Sequence, residues 1–247
     1  MKLYARHHLS FFIACSVGWL LAVAPLCADD TMSQSSQPIQ LSHLHYLAAD
    51  KPNVIALLAP PPLPGSPEQA ADLNEVRAVY HAATSNDMTV AYSQKKFTIF
   101  TFTPAIGNFF QPGKFPRIEA FFQRVQTDAE SVTDNAKDFY RRPRPYVTDP
   151  SLANGKLEKS FSYPSGHATE SMVLALVLAD LFPDQHDAII AEARSIGWHR
   201  VQIARHYPTD IYAGRVLAQA IVRQMKKNHN FQQDFAAAAN EITAAQK

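Results

Sequence analysis

A chain of 247 residues, 47% hydrophobic and 18% charged, has the size and apolar content of one globular domain, which excludes a wholly disordered chain. Its formal charge of +1 leaves no basic excess to follow a nucleic-acid backbone or an anionic bilayer. Both cysteines, Cys15 and Cys27, precede Asp29, so the rest of the chain can form neither a disulfide staple nor a thiolate metal site.

Residues 1–28 read as a signal peptide. Lys2 and Arg6 precede the apolar run LSFFIACSVGWLLAVAPL, and Ala28 stands before the acidic Asp29 and Asp30. Periplasmic or secreted localisation is therefore expected, with no stable membrane span once the leader is cleaved. Residues 29–66 are expected to form an extended, proline-rich segment. A Ser/Gln-rich stretch there gives way to LLAPPPLPGSP, whose prolines block regular structure. Residues 67–247 are expected to be a helical domain.

The first long helix has a full set of start signals: Ser66 as N-cap, Pro67 at the first position and Gln69 where a capping-box partner belongs. Leu73, Val76, Val79 and Tyr80 give it an apolar stripe. A second helix is predicted from about Asp87 to Phe100, against the β-branched FTIFTFT, and TPAIGNFFQPGKFP is predicted to be a loop. A third is predicted over 116–141, with Ile118, Phe121, Phe122, Val125, Ala129 and Val132 at helical spacing. RRPRPYVTDPSLANGKLEKSFSYPSG forms a loop long enough to suggest function. Further helices are predicted over about 166–182, 185–204, 208–227 and 231–245. No strand pattern persists, and the fold class is all-α, a single-domain helical bundle.

Three polar stretches exceed what helix packing requires. In KDFYRRPRP, Lys137 lies near a helix end, and Pro143 and Pro145 restrict the backbone around Arg144, which suits a guanidinium pre-set for an anion. In YPSGH, Ser165 is a candidate N-cap, and the backbone N–H groups of Gly166 and His167 open the next helix where an anion is favoured. In RVQIARHYPTD, Pro208 opens a helix that puts Asp210 in its first turn, able to reach back to His206. A carboxylate on one ring nitrogen would leave the other as a lone-pair nucleophile. Each stretch alone also reads as ordinary helix termini. Together with Arg200 they describe a metal-free site for a tetrahedral oxyanion. Other histidines, such as His43, His45 and His81, are expected at surfaces or in helix packing.

These stretches, in this order and spacing, resemble the three-part signature of the type 2 phosphatidic-acid phosphatase superfamily. That group includes bacterial class A non-specific acid phosphatases and vanadium haloperoxidases, and the proline-rich lead-in also resembles that of the secreted acid phosphatases. The resemblance implies a helical bundle of the acid phosphatase/vanadium haloperoxidase type and a metal-independent hydrolysis of phosphate monoesters through a phosphohistidine. It assigns His206 as nucleophile, Asp210 as its orienting partner and His167 as the acid and base. Lys137, Arg144, Ser165, Gly166 and Arg200 become the phosphate-binding set. No cofactor or metal is implied, and vanadate or phosphate is expected to inhibit. The expected partners are small phosphomonoesters and not nucleic acid; a homo-oligomer is compatible with the pattern. The alternatives are a lipid-phosphate or undecaprenyl-pyrophosphate phosphatase, a vanadium haloperoxidase, or a non-catalytic phosphate-binding envelope protein. Two positions depart from the family pattern: His199 stands where Ser is frequent, and Ala204 where Gly is common.

Overall fold

The computed structural model describes residues 44–47 and 51–245. The expected signal peptide lies outside the described residues, as do residues 29–43, His43 among them, and 48–50 of the N-terminal segment. The elements in chain order are α1 (Val54–Leu57), α2 (Pro67–Ala82), α3 (Ser85–Ser93), α4 (Thr103–Ile106), α5 (Pro116–Tyr140), α6 (Pro145–Thr148), α7 (Gly166–Leu181), α8 (His186–Gln202), α9 (Pro208–Met225) and α10 (His229–Ala245). Among the described residues there is no strand, and the fold class is all-α. No described helix is long and apolar enough to cross a membrane.

The centre of the bundle is α7. It is apolar on every side because α5, α8 and α9 all pack around it. Met172, Val173, Leu174, Val177 and Leu178 are all buried along it, each such side chain contributing roughly 1.5–3 kcal/mol of burial. α9 approaches α7 very closely at Gly214, where an added Cβ would lie 2.9 Å from the Ser165 carbonyl oxygen, so a side chain there would push the two helices apart. The stripe predicted for the third helix, Ile118 through Val132, faces the same core, to which Phe231, Ala238 and Ile242 of α10 also belong.

Pattern and structure differ in four places, one being α6 and a 3-10 turn over Pro150–Leu152 inside the long stretch from Arg141 read as a loop. The helix expected to reach residue 100 stops at Ser93, and a 3-10 turn over Ile99–Phe102 runs into α4, inside the stretch read as a loop. Thr98 caps that turn, and Phe97, Ile99 and Phe102 turn into the core, so burial of bulky β-branched and aromatic groups wins over helix continuation. Within the segment expected to be extended, Asn53 caps the short α1 through the Ala56 N–H, and Asp128 on α5 accepts the backbone N–H groups of His45, Tyr46 and Leu47 at 2.7, 2.7 and 3.0 Å. Gln69 makes no capping box; its Oε1 accepts a hydrogen bond from Arg142 instead.

A second, smaller apolar cluster sits where α2, α8 and α9 meet the loop of residues 141–165. Leu73, Val76, Tyr146, Leu152, Val201 and Ile211 belong to it. It forms the floor beneath the predicted site.

Candidate active site

Helix ends deliver the predicted residues. Lys137 occupies the last turn of α5, which closes on Arg141 at φ 49° with its N–H on the Lys137 carbonyl. Pro143 and Pro145 then hold Arg144 in an extended conformation ahead of α6. Ser165 caps α7, accepting the Ala168 N–H, so its own hydroxyl proton remains available to donate. Gly166 leaves room for two charged side-chain ends: a Cβ there would stand 3.3 Å from Lys137 Nζ and 3.2 Å from Glu170 Oε1, so both would have to shift by a few tenths of an ångström. The Lys137 ammonium therefore sits directly over the start of α7. Arg200 comes from the last turn of α8, His206 from the turn that follows, and Asp210 from the first turn of α9. All eight predicted residues thus converge on one region.

The His206 side is buried and densely hydrogen-bonded, with Arg142 Nε its one donor left without a partner among the described residues. Nε2 lies 3.2 Å from Arg144 Nη1, a group that can only donate, so Nε2 presents a lone pair and the ring proton sits on Nδ1. Nδ1 faces Asp210 Oδ2 at 3.3 Å. Burial, followed by the charges of Arg144 and Lys137, holds the imidazole well below its ordinary pKa, so the ring is neutral. Asp210 Oδ2 also accepts from the Ser162 hydroxyl at 2.5 Å and the Tyr207 N–H at 2.9 Å. Its Oδ1 accepts from Arg142 Nη1 at 2.6 Å. Arg142 continues the chain to Asp72 and Gln69, both at 2.7 Å, and stacks over the Tyr207 ring at 3.8 Å.

The other side is more open. His167 lies against Phe97, with Nε2 3.2 Å from the Lys95 carbonyl oxygen, an acceptor, so this nitrogen carries the proton. Burial and the nearby Arg200 lower its pKa to about 3, which leaves the empty site with both histidines uncharged. Glu158 links the two guanidinium groups: Oε2 is 2.7 Å from Arg144 Nη2 and Oε1 is 2.5 Å from Arg200 Nη2. Burial alone would raise this carboxyl, but Arg144 and the other positive groups outweigh it and bring it down to about 2. One turn along α7, burial and Glu130 push Glu170 up to about 8, so it is neutral and does not cancel the Lys137 charge.

Sequence reasoning missed Glu158, Arg142, Asp72 and Ser162. Arg142 carried a weak signal, being a second arginine pinned between helix end and proline. The others carried none, since their partners lie far off in the chain: Asp72 meets Thr209 across 137 positions. The two departures from the family pattern also have a place in the structure. Ala204 adopts φ 51°, the left-handed region that favours glycine, and its methyl is buried in the smaller cluster. His199 points away from the phosphate-binding groups, bonding Gln94 at 2.5 Å and Ser195 at 3.2 Å.

The assembled groups (two guanidiniums, an ammonium, a helix start and a neutral imidazole whose Nε2 lone pair meets Arg144) match the needs of an oxyanion under nucleophilic attack. No group of three His, Cys, Asp or Glu side chains that could hold a metal ion occurs among the described residues. Residues 127–233 match the sequence model of the PAP2 superfamily. The chain is 27% identical over 222 residues to a protein of Zymomonas mobilis named acid phosphatase, a match covering 86% of this chain and 82% of that one. It is 28% identical over 220 residues to the non-specific acid phosphatase of Providencia stuartii, covering 83% and 87% respectively. A shorter stretch of 53 residues is 43% identical to the lipid A 1-phosphatase of Rhizobium etli, covering 22% of this chain and 23% of that one. The match to the superfamily encloses every residue of the predicted site, and so the family resemblance read from three short stretches holds: this chain carries a PAP2 superfamily domain.

Proposed function

We propose that this chain is an exported, metal-independent acid phosphatase that hydrolyses small phosphate monoesters through a phosphohistidine on His206. The observation that carries the reading is the Nε2 lone pair of a neutral, buried His206 held beside Arg144. An uncharged imidazole with its proton fixed on Nδ1 is a competent nucleophile, and the charge needed to hold phosphate surrounds it. Similarity to proteins named acid phosphatase over more than four-fifths of the chain supports the substrate class. The charged, apolar and small-residue order of residues 1–28 supports export.

In the first step Nε2 attacks phosphorus, the ester P–O bond breaks, and the leaving oxygen takes a proton from His167. The His206 ring, now positive, is stabilised through Nδ1–H by Asp210. In the second step His167 removes a proton from water, the water oxygen bonds to phosphorus, and the P–N bond breaks to release phosphate. Lys137, Arg144, Arg200, the Ser165 hydroxyl and the start of α7 hold the non-bridging oxygens. The negative substrate offsets the Arg200 charge and raises the depressed His167, so that it can carry the proton it must deliver.

A second reading, action on a lipid-linked phosphate, draws support from the short stretch shared with the lipid A 1-phosphatase. Both readings use the same groups. Hydrolysis of p-nitrophenyl phosphate from pH 4 to 8 in EDTA separates them from the start. The expected result is EDTA-resistant, vanadate-inhibited turnover that falls by about 10⁴-fold or more in His206→Ala. Enzyme quenched in alkali during turnover should carry covalent phosphate in the wild type and none in that variant. Undiminished turnover by His206→Ala ends the nucleophile assignment, and inactivity of the wild type on this ester moves the weight to lipid substrates.

A further inference from the structure

A guanidinium carries five N–H donors, and in Arg144 all five are engaged. Nε donates to the Ser160 carbonyl at 2.7 Å, Nη1 to the Arg205 carbonyl at 3.0 Å and toward His206 Nε2, and Nη2 to the Ser160 hydroxyl at 2.9 Å and to Glu158 Oε2. Two of these bonds fix the side chain to Ser160 of its own loop, and two fix it to Arg205 and His206 in the turn that carries the nucleophile. The fifth, to Glu158, is the one a phosphate oxygen could take over. Arg200 presents the complementary picture: Nη2 is held by the other Glu158 oxygen, while its buried Nε has no hydrogen-bond partner. A fully buried guanidinium with an idle N–H is poised for one more acceptor.

The Glu158 carboxylate, two oxygens spanning two guanidiniums, therefore stands where two oxygens of a phosphate would. Its backbone is tied down on both sides: Tyr146 Oη donates to the Glu158 carbonyl at 2.8 Å and accepts its N–H at 3.1 Å. The side chain itself is 29% exposed and can turn without moving the loop. Beside it opens a cleft of about 210 Å³, lined by Tyr92, Lys95, Lys156, Arg200 and Arg205, whose lysines offer a displaced carboxylate new partners.

We propose that Glu158 is a specificity-determining residue: a resident carboxylate that occupies the Arg144–Arg200 anion site of the free enzyme, yields it to the substrate phosphate, and reclaims it to expel the product. The proposal rests on the phosphatase reading given above. Because the positive groups keep this carboxyl ionised down to about pH 2, acid conditions do not remove the competitor. Every phosphate that binds must outbid it, so the residue weakens the hold on phosphate in ester and product alike, and turnover is freed from a tightly retained product.

The test is inorganic phosphate binding by calorimetry, with inhibition by phosphate and KM for p-nitrophenyl phosphate measured alongside, in the wild type, Glu158→Gln and Glu158→Ala. Loss of the competing charge should tighten phosphate roughly tenfold or more, lower KM in step, and reduce kcat through slower release of product. A carboxylate that merely orients the two arginines gives the reverse result, weaker phosphate and higher KM on its removal, and equal or weaker binding in both variants overturns the proposal. Should the Gln and Ala variants fail to fold, Glu158→Asp, too short to span both guanidiniums, must show the same tightening to a lesser degree. A wild type that binds phosphate and turns over, with variants no tighter, removes the carboxylate competition and keeps the phosphatase. A wild type that neither binds phosphate nor hydrolyses the ester removes both.

Discussion

The two histidines of this site live in different surroundings. His206 is enclosed by partners that are themselves enclosed: Asp210, then Arg142, then Asp72, a line of alternating charge in which each member is buried and hydrogen-bonded. His167 stands against Phe97 and the backbone of Gln94 and Lys95, beside a carboxylate free to turn. The contrast follows the chemistry each would perform. A nucleophile needs one tautomer and one direction of attack before substrate arrives, and a buried hydrogen-bonded network supplies that rigidity. An acid that later becomes a base must change its proton with every half-reaction, and a site whose charge balance shifts as phosphate enters supplies that change.

The difference predicts separable failures, and the largest should come from the buried line. Arg142 touches no predicted substrate atom, yet Arg142→Ala strands Asp72 and Asp210 together without a cation. Removing one member of a buried ion pair costs about 3–5 kcal/mol, which for a chain of this size lowers Tm on the order of 10 °C. Thermal unfolding measures this directly. A shift of only a degree or two would mean that water or local rearrangement readily replaces the guanidinium, and the picture of a rigid nucleophile half would fail.

At the rim the expectation reverses, with function lost and stability kept. His167→Ala should move unfolding free energy by less than about 1 kcal/mol, since little packing is lost. Its effect on rate should depend on the leaving group, falling by about 10²–10⁴-fold for an alkyl phosphate and by distinctly less for p-nitrophenyl phosphate, whose phenolate departs without protonation. Comparing kcat/KM on the two esters in wild type and variant reads this difference. Equal losses on both would reassign His167 from proton donor to phosphate holder.

The same contrast explains what could be read from the chain alone. Helix starts at Ser66–Pro67 and Pro208, the stripe of α5 and the apolar run of α7 are local patterns, and each produced an element within a few residues of its expected place. The eight predicted site residues lie at helix ends for equally local reasons of capping and proline placement. The partners that tune them are non-local. Asp72 reaches the site from α2, and Ser162 and Glu158 reach it through the path of a loop whose shape is set by Tyr146 and Ser160 contacts, not by any periodicity. Residues 94–106 misled for a related reason. Their short helical turns are dictated by which aromatic groups the core accepts, and periodicity records helices, not vacancies in a core.

Ala204 gives the smallest effect and the finest test of how rigid the buried half must be. Its φ of 51° costs a residue with a side chain about 1–2 kcal/mol relative to the right-handed helical region, a burden that glycine escapes. Against this, replacing it removes a buried methyl worth roughly 0.8 kcal/mol and frees the unfolded chain by about 0.4–1 kcal/mol. These opposing terms nearly cancel, so Ala204→Gly should change unfolding free energy by less than about 1 kcal/mol. Most buried alanines in helices would lose more on the same exchange. Two residues on, His206 would keep its place, and kcat should hold within about twofold. A large drop in kcat at unchanged stability would show that the Ala204 methyl itself holds the 203–207 turn in register, and that the nucleophile's direction depends on packing beneath it as much as on the Asp210 bond beside it.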